Sequence, residues 1–371
     1  MGVRKDRGHW VVDFRFRHPD GRVQRVRERS PVDTRRGAEE YERRLREALL
    51  EGRRNGVEVP TLAAFAPRWI EGHAQANRQK HSTVVSKESI LKRHLLPHLG
   101  TKRLDEITAE DVQQIKGRIR RAKKSPKTTN NVLTVLGKML KTAVEWDVIG
   151  RLPVKIDLVR AVPPTMERYQ QSEFDRLVTA AKKLDPRIIA FVLLAGDAGL
   201  RAGEVMALEW TDLDLDGGFI NVQRTEWRGV VGAPKGGRSR TIPMTTLLKD
   251  ALKALRHLQG PRIFYRPAVG TRGIRTVTQK TLQKWMEAAT RRAGLPASGK
   301  LHILRHTFCS RLAEEGATAK AIQELAGHQN LSTTQRYMHL SPTAKAGAIR
   351  LLERGADRDG YEAGTKKPLT A

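Results

Sequence analysis

The 371-residue sequence contains one cysteine, Cys309, so it can build neither an internal disulfide nor a cysteine-based metal site. It also lacks a long apolar run. A membrane helix needs roughly 18–20 such residues, whereas the longest stretch, Ile188 to Gly196, has the length of a buried helix. Arg4, Lys5 and Arg7 are followed by no apolar segment, so no secretory signal is expected. Acidic residues are scarce: 40 Asp and Glu stand against 69 Lys and Arg, a net charge of +29. These absences exclude a secreted disulfide scaffold, a zinc ribbon and a membrane span, and they favour a reducing cytoplasm. Hydrophobic residues make up 39%, enough for packed cores, and the length suggests about two or three domains.

A positive surplus of this size repels itself, and the usual relief is a polyanionic partner. The surplus is patterned. Lys116, Arg118, Arg120, Arg121, Lys123, Lys124 and Lys127 follow one another without an intervening acid, and arginines including Arg15, Arg17, Arg25 and Arg27 alternate with apolar residues near the N-terminus. Such runs are either solvated basic faces or phosphate-tracking surfaces with steep salt dependence. Charge alone does not separate DNA from RNA or from an anionic membrane.

Residues 1–56 read as a small sheet plus helix. His9 to Arg17 places Trp10, Val12, Phe14 and Phe16 on one side and Asp13, Arg15 and Arg17 on the other, the period of a half-buried strand. His18 to Gly21 is a turn cluster, Arg22 to Arg29 a returning strand, Ala38 to Glu51 a helix, and Arg53 to Gly56 a linker. Residues 61–160 read as all-helical, with 20 basic and 9 acidic residues. Pro153, Pro163 and Pro164 mark a boundary. Residues 165–352 read as mixed helix and short strands, with Ser172 as a helix cap and strand candidates at Phe219–Arg224, Gly229–Lys235 and Arg238–Met244. Residues 353–371 read as a polar tail. The expected fold class is mainly α with small β-sheets.

Several segments of the third region carry chemistry. In Leu301 to Leu312, His302, Arg305, His306 and Cys309 share an arc of about 100° on a helical wheel, beside an apolar arc of Leu301, Leu304, Phe308 and Leu312. An imidazole and a guanidinium then lie one turn apart along a buried seam; the plainer alternative is a His and an Arg bonded to carbonyls. A metal site on His302 and His306 lacks a third ligand at suitable spacing. Gly327 is a helix stop. Ser332 with Gln335 is a capping-box pattern for a new helix that carries Tyr337, nine residues after His328. Arg201, after Gly199, is expected at the first turn of a helix, where backbone N–H groups favour a phosphate and Glu204 can orient the guanidinium. Lys235, before Gly236 and Gly237, is expected at an exposed hairpin tip. Asp212 to Gly217 mimics the start of a calcium loop, but Gln223 stands where a Glu is required, so it reads as a turn.

Taken in order, GLRAGE, APKGGRSRTIP, LHILRH, LAGHQN and TTQRYMHL resemble the tyrosine recombinase (phage integrase) family across Gly199 to Leu340. Each motif is weak alone; the ordered set is specific. The helical segment resembles the family's core-binding domain, and residues 1–56 resemble the arm-binding domain of phage-type integrases. The resemblance implies a catalytic set of Arg201, Lys235, His302, Arg305, His328 and Tyr337, with Glu204 in support. Ala202 and Ala326 depart from the commoner residues but touch no reacting group.

The implied activity is site-specific DNA recombination. Tyr337 would form a 3′-phosphotyrosyl link, with a neighbour such as His302 accepting its proton and Lys235 protonating the leaving 5′-oxygen, and with no metal, ATP or other cofactor. The family further implies a clamp on double-stranded DNA with residues 149–166 as its linker, and a homo-tetrameric synapse in which residues after Tyr337 pack on a neighbour. A host bending protein or directionality factor is a possible further partner, and the expected location is cytoplasmic and nucleoid-associated. The N-terminal basic unit points to an integrase of a mobile element. The alternatives are a type IB topoisomerase-like nicking-closing enzyme and a non-catalytic DNA-binding protein descended from a recombinase.

Overall fold

The computed structural model describes residues 2–17, 23–50, 59–162, 166–267, 274–296 and 299–338. The turn at His18–Gly21, the start of the returning strand at Arg22, the linker at Arg53–Gly56, Pro163 and Pro164, the segment after Tyr337 from residue 339 and the polar tail lie outside the described residues. The chain divides into two compact units, 1–163 and 164–371.

The first unit opens with a three-stranded antiparallel sheet of β1 (Val3–Asp6), β2 (His9–Arg17) and β3 (Val23–Arg29), in the order β1-β2-β3. The period-two pattern of β2 works as expected: Val12, Phe14 and Phe16 bury one face with Val26, against Tyr41, Leu45 and Leu49 of helix α1 (Arg35–Leu50). The strand β1 was not anticipated. Its four residues, Val-Arg-Lys-Asp, are too short and too polar to show a period.

Helices follow at α2 (Leu62–Trp69), α3 (His81–Ile90), α4 (Leu96–Leu99), α5 (Ala109–Arg121) and α6 (Pro126–Glu145), with π-helical turns at Ile70–Gln75 and Leu91–Leu95. Thr108 caps α5, accepting from Asp111 N while Asp111 accepts from Thr108 N; Ser125 caps α6 with Pro126 at its first position. The apolar stripes meet in one cluster around Leu62, Phe65, Trp69, Leu95, Ile115, Leu136 and Met139. Gly72 sits where any Cβ would lie 2.6 Å from the Trp146 ring, which makes the close approach of these segments possible.

The second unit runs α7 (Gln171–Lys182), α8 (Pro186–Gly196), α9 (Ala202–Ala207), β4 (Leu213–Asp214), β5 (Phe219–Val222), β6 (Thr225–Trp227), β7 (Val230–Gly232), β8 (Arg240–Pro243), α10 (Thr246–Leu255), β9 (Tyr265–Pro267), β10 (Ile274–Thr276), α11 (Gln279–Arg292), α12 (His302–Glu314), α13 (Ala319–Ala326) and α14 (Leu331–Met338). The fold class is therefore mainly helical with small sheets. Every residue of Ile188 to Gly196 is buried, because α8 is the central rod against which α7, α10, α11 and α12 pack. Gln170, not Ser172, stands at the start of α7, where Glu173 accepts from its backbone N–H.

The strands differ from expectation in their pairing. β5 pairs with β4 and β8, and a separate hairpin joins β6 to β7. Lys235 consequently lies in the exposed turn linking β7 to β8, closed by Gly237 N donating to Pro234 O, and not at the tip of a hairpin made by those strands. Asp212 is buried and accepts from Arg224 and Gln223, while Asp214 accepts from the N–H groups of Asp216 and Gly217 to close a turn.

Gly199 adopts φ +65°, and a Cβ there would lie 2.4 Å from the Phe308 ring. Gly199→Ala combines left-handed strain with overpacking that costs about 1–3 kcal/mol. We expect its urea unfolding midpoint to fall with an unchanged m-value; an unchanged midpoint would show that Phe308 moves aside freely.

Candidate active site

The site is assembled from the start of α9, the start of β8, the helix α12, the end of α13 and the helix α14 of the second unit. Arg201 is the residue before α9 and donates from its guanidinium to Glu204 Oε1 and to Gly327 O, both at 2.9 Å. The expected anion site at the start of α9 is already filled. Arg201 N donates to Glu204 Oε2 at 2.9 Å, so a carboxylate of the same helix answers that N-terminus, and Arg201 offers its side chain only. Glu204 is 1% exposed and also holds Arg240, whose two terminal nitrogens reach it at 3.0 and 2.7 Å. Burial pushes the Glu204 carboxyl up, but the bonds and charges of Arg240 and Arg201 outweigh it and hold the group down at about 2.

Arg240 was missed from the sequence. The signal was present: in β8 it lies two residues from the buried Ile242 and so shares its face. Its Nε donates to Leu325 O at 2.9 Å, which ties β8 to the end of α13.

Arg305 lies in α12 and is 1% exposed. It donates to Gly199 O at 2.5 Å and to Ala326 O. These bonds are the plainer alternative raised by its sequence position, yet they use only two of the five N–H donors of a guanidinium. Burial lowers its pKa to about 10, so it remains charged at neutral pH. Gly327 ends α13 in the left-handed conformation, φ 65°, as expected of a helix stop.

Three imidazoles surround this pair. His302 lies edge-on to His306, ring centroids 4.6 Å apart, and is lowered to about 4 by burial and then by the neighbouring His306, Arg305, Arg201 and Lys235 charges. His328 shares its Nδ1 with Thr334 Oγ1 at 2.9 Å and lies parallel to the Tyr337 ring; burial and the two arginines lower it to about 3. Lys235 is exposed, and its charge reaches His302.

Tyr337 is 2% exposed, on α14. That helix begins at Leu331, so Ser332 lies inside its first turn and not ahead of it. Burial, and next the Cys309 thiol, push the phenol well above its ordinary range. Its oxygen lies 2.6 Å from His306 Nδ1. Among the described residues no hydrogen bond joins it to His302, the neighbour expected to take its proton. His306 lies on the arc of α12 that the helical wheel gives it, and this contact with Tyr337, made from another helix, is not visible in the wheel.

The structure thus brings Arg201, Glu204, His302, Arg305, His328 and Tyr337 together, with Lys235 within electrostatic reach. The basic residues of the first unit are described separately. Arg15 and Arg17 are exposed on β2. Arg25 forks onto the buried Asp13 at 2.9 and 2.8 Å and Arg27 pairs with Asp6 at 2.8 Å, so both meet acids of their own sheet. Lys116, Arg118, Arg120 and Arg121 lie in the second half of α5, and Lys123, Lys124 and Lys127 continue through the turn into α6; all but Lys116 are exposed, and Arg118 meets His98.

Two family models match. The phage integrase family model matches residues 167–344, and the phage integrase N-terminal SAM-like domain matches residues 61–116. A tyrosine recombinase XerC-like protein of Caldanaerobacter subterraneus subsp. tengcongensis is 26% identical over 345 residues, covering 83% of this chain and 87% of that one. The ICEBs1 integrase of Bacillus subtilis is 25% identical over 366 residues, covering 92% and 96%. Among solved structures, the Tn1549 transposon integrase in complex with a circular intermediate DNA superposes with a TM-score of 0.64 at 22% identity, covering 79% of this chain and 99% of that one.

Glu204→Gln leaves Arg201 and Arg240 together without their counter-charge, a loss of about 3–5 kcal/mol by analogy with other broken buried pairs. Glu204 titrates at about 2 when folded against an ordinary 4.5. Its contribution is therefore present above pH 4.5 and is lost as pH falls from 4.5 through 2. Urea titrations across that window should show a shallower acid loss in Glu204→Gln than in the native chain; parallel curves would mean that the carboxylate is not held as described.

Proposed function

Because this chain belongs to the phage integrase family of tyrosine recombinases, site-specific recombinases that act on DNA, we propose that it cuts and rejoins strands through a 3′-phosphotyrosyl intermediate at Tyr337. The observation that carries this reading is the convergence of two guanidiniums and two imidazoles, from separate stretches of the chain, around the buried phenol.

The roles follow from charge. A phosphodiester under attack gathers negative charge on its non-bridging oxygens, and donors fixed beforehand stabilise it without reorganising. Arg201 and Arg305 are fixed by the carbonyls of Gly327, Gly199 and Ala326, and their remaining donors would take those oxygens. His302 and His328, neutral at pH 7, would add N–H bonds. Tyr337 Oη forms the bond to phosphorus, the bond to the 5′-oxygen breaks, and Lys235 from its exposed turn gives that oxygen a proton. A 5′-hydroxyl from a second strand reverses the step. The positive charge that a metal ion would bring is here supplied by side chains, so the proposed reaction uses neither metal nor ATP. Since Tyr337 is 2% exposed, α14 would have to shift, with the phenol kept beside His306, for its oxygen to reach a phosphate.

In this reading residues 165–352 are the catalytic domain, residues 61–160 the core-binding domain, and residues 1–56 an arm-type domain that holds a second DNA site through Arg15 and Arg17. The basic run from Lys116 to Lys127 tracks phosphates, contacts that position a protein without specifying sequence. Integration or excision of a mobile element is the use we assign, supported by similarity to the ICEBs1 and Tn1549 integrases. A homo-tetramer is the assembled form, a host bending protein or directionality factor its possible helper, and the nucleoid its place of action.

The test is incubation with nicked duplex fragments tiling the DNA on both sides of the gene, in EDTA and without ATP, followed by a denaturing gel. A protein-linked band should form with the native chain and vanish for Tyr337→Phe, and Arg305→Gln should slow its formation by roughly 10²–10³. A band that survives Tyr337→Phe, or that needs a divalent ion, would overturn the reading. On the same fragments, replacing Arg120, Arg121 and Lys123 by Gln should lower the slope of log affinity against log salt by about 0.9 for each side chain on a phosphate. An unchanged slope would place the DNA elsewhere.

A further inference from the structure

We infer that His306 is the base that takes the proton of Tyr337, an assignment that rests on the reading of Tyr337 as nucleophile. The contact is direct: His306 Nδ1 lies 2.6 Å from Tyr337 Oη, within the reach that general-base transfer requires. His306 follows Arg305 on α12 and lines, with His302, Lys300, Gln283 and Arg336, a cleft of about 650 Å³. One edge of its ring therefore meets the buried phenol while the ring borders space that solvent or DNA can enter.

The other candidates near the phenol are occupied or unsuited. His302 meets His306 edge-on and makes no bond to Tyr337 among the described residues. The Nδ1 of His328 is engaged by Thr334. The Cys309 thiol is pushed up to about 11 by burial, so it is protonated at neutral pH. His306 itself is lowered by burial and by the charges of Arg305 and Arg336. It is neutral at pH 7 and has a lone pair to give.

The step balances. The Oη–H electron pair becomes the bond from Tyr337 to phosphorus, the proton passes to His306 Nδ1, and the bond to the 5′-oxygen breaks, with the leaving oxygen protonated by Lys235. An imidazolium beside Arg305 and Arg336 is unfavourable in the free protein. The phosphate brings the negative charge that offsets it, so proton transfer is favoured when DNA is in place. In the return step the imidazolium gives its proton back to the departing phenolate.

Two measurements test this. In the native full chain, long-range ¹H–¹⁵N spectra of labelled histidines, with His306→Asn used for assignment, should show His306 protonated on Nε2 and bare on Nδ1. A proton on Nδ1 would make His306 a donor to the phenol and overturn the inference. On the tiled nicked fragments, His306→Asn and His306→Ala should form the covalent band roughly 10²–10⁴-fold more slowly, the usual range for a lost general base, and added imidazole should restore part of the rate to His306→Ala only. A merely structural histidine would not be rescued. A native rate in His306→Asn, or a loss that imidazole leaves untouched, would sink the inference while the band and its absence in Tyr337→Phe uphold the nucleophile. No band from the native chain would remove both.

Discussion

A site built from positive groups has to be held together against its own repulsion. Arg201, Arg240 and Arg305 crowd one region of the second unit, and among the described residues Glu204 is the buried acid that meets them. Both carboxylate oxygens are used: Oε1 accepts from the side chains of Arg201 and Arg240, Oε2 from Arg240 and from the backbone of Arg201. One charge therefore fixes the start of α9 and the start of β8. Among the described residues Arg305 forms no ion pair, and it is held by carbonyl dipoles at Gly199 and Ala326. A carbonyl holds a guanidinium in place without neutralising it. That difference leaves positive charge unanswered at the site, charge that the proposed reaction would turn on a phosphate.

The same field explains the histidines. His302, His306 and His328 are all lowered, each by burial first and by arginines after. Three protonated imidazoles next to two guanidiniums would be costly, so the protein keeps them neutral. Neutral imidazoles can donate at one nitrogen and accept at the other, which lets residues of one type serve different ends of the proposed reaction. The nitrogen that faces Thr334 or Tyr337 sets what its opposite nitrogen offers.

Much of the scaffold was legible in the sequence. The alternation of His9 to Arg17 became β2, the apolar run from Ile188 became the central α8, and Ala319–Ala326 stopped at Gly327 as its glycine required. Sequence periodicity reports which face is buried, and these elements are decided by burial. Pairing between strands is decided by partners far along the chain, and there the reading failed: Lys235 belongs to a turn between two sheets, and β8 lies against β5. The start of α7 lies two residues ahead of Ser172 because Glu173, inside the helix, answers the Gln170 N–H. Arg240 and His306 are hard to read from sequence for a different reason. Each lies on a face that the periodicity places correctly, but its value comes from a group contributed by another element, Glu204 for one and Tyr337 for the other.

The placement of Tyr337 follows from how the second unit divides its apolar interior. The main core surrounds α8, whereas Tyr337 belongs to a smaller cluster with Phe308, Cys309, Ala313, Ile322 and Ala326. A helix such as α14, seated on a small cluster, opens at less free energy than one seated on the main core, because fewer buried contacts must be given up. Arg201 and Arg305 bridge the two clusters, through Glu204 and the Gly199 carbonyl on one side and through the Gly327 and Ala326 carbonyls at the end of α13 on the other. The phenol belongs to the smaller cluster and meets α12 at His306 and Cys309 and the ring of His328. In the proposed reaction the arginines would hold the phosphate while the phenol on α14 moves to it, and the division of the interior into two clusters would allow that without a separate hinge.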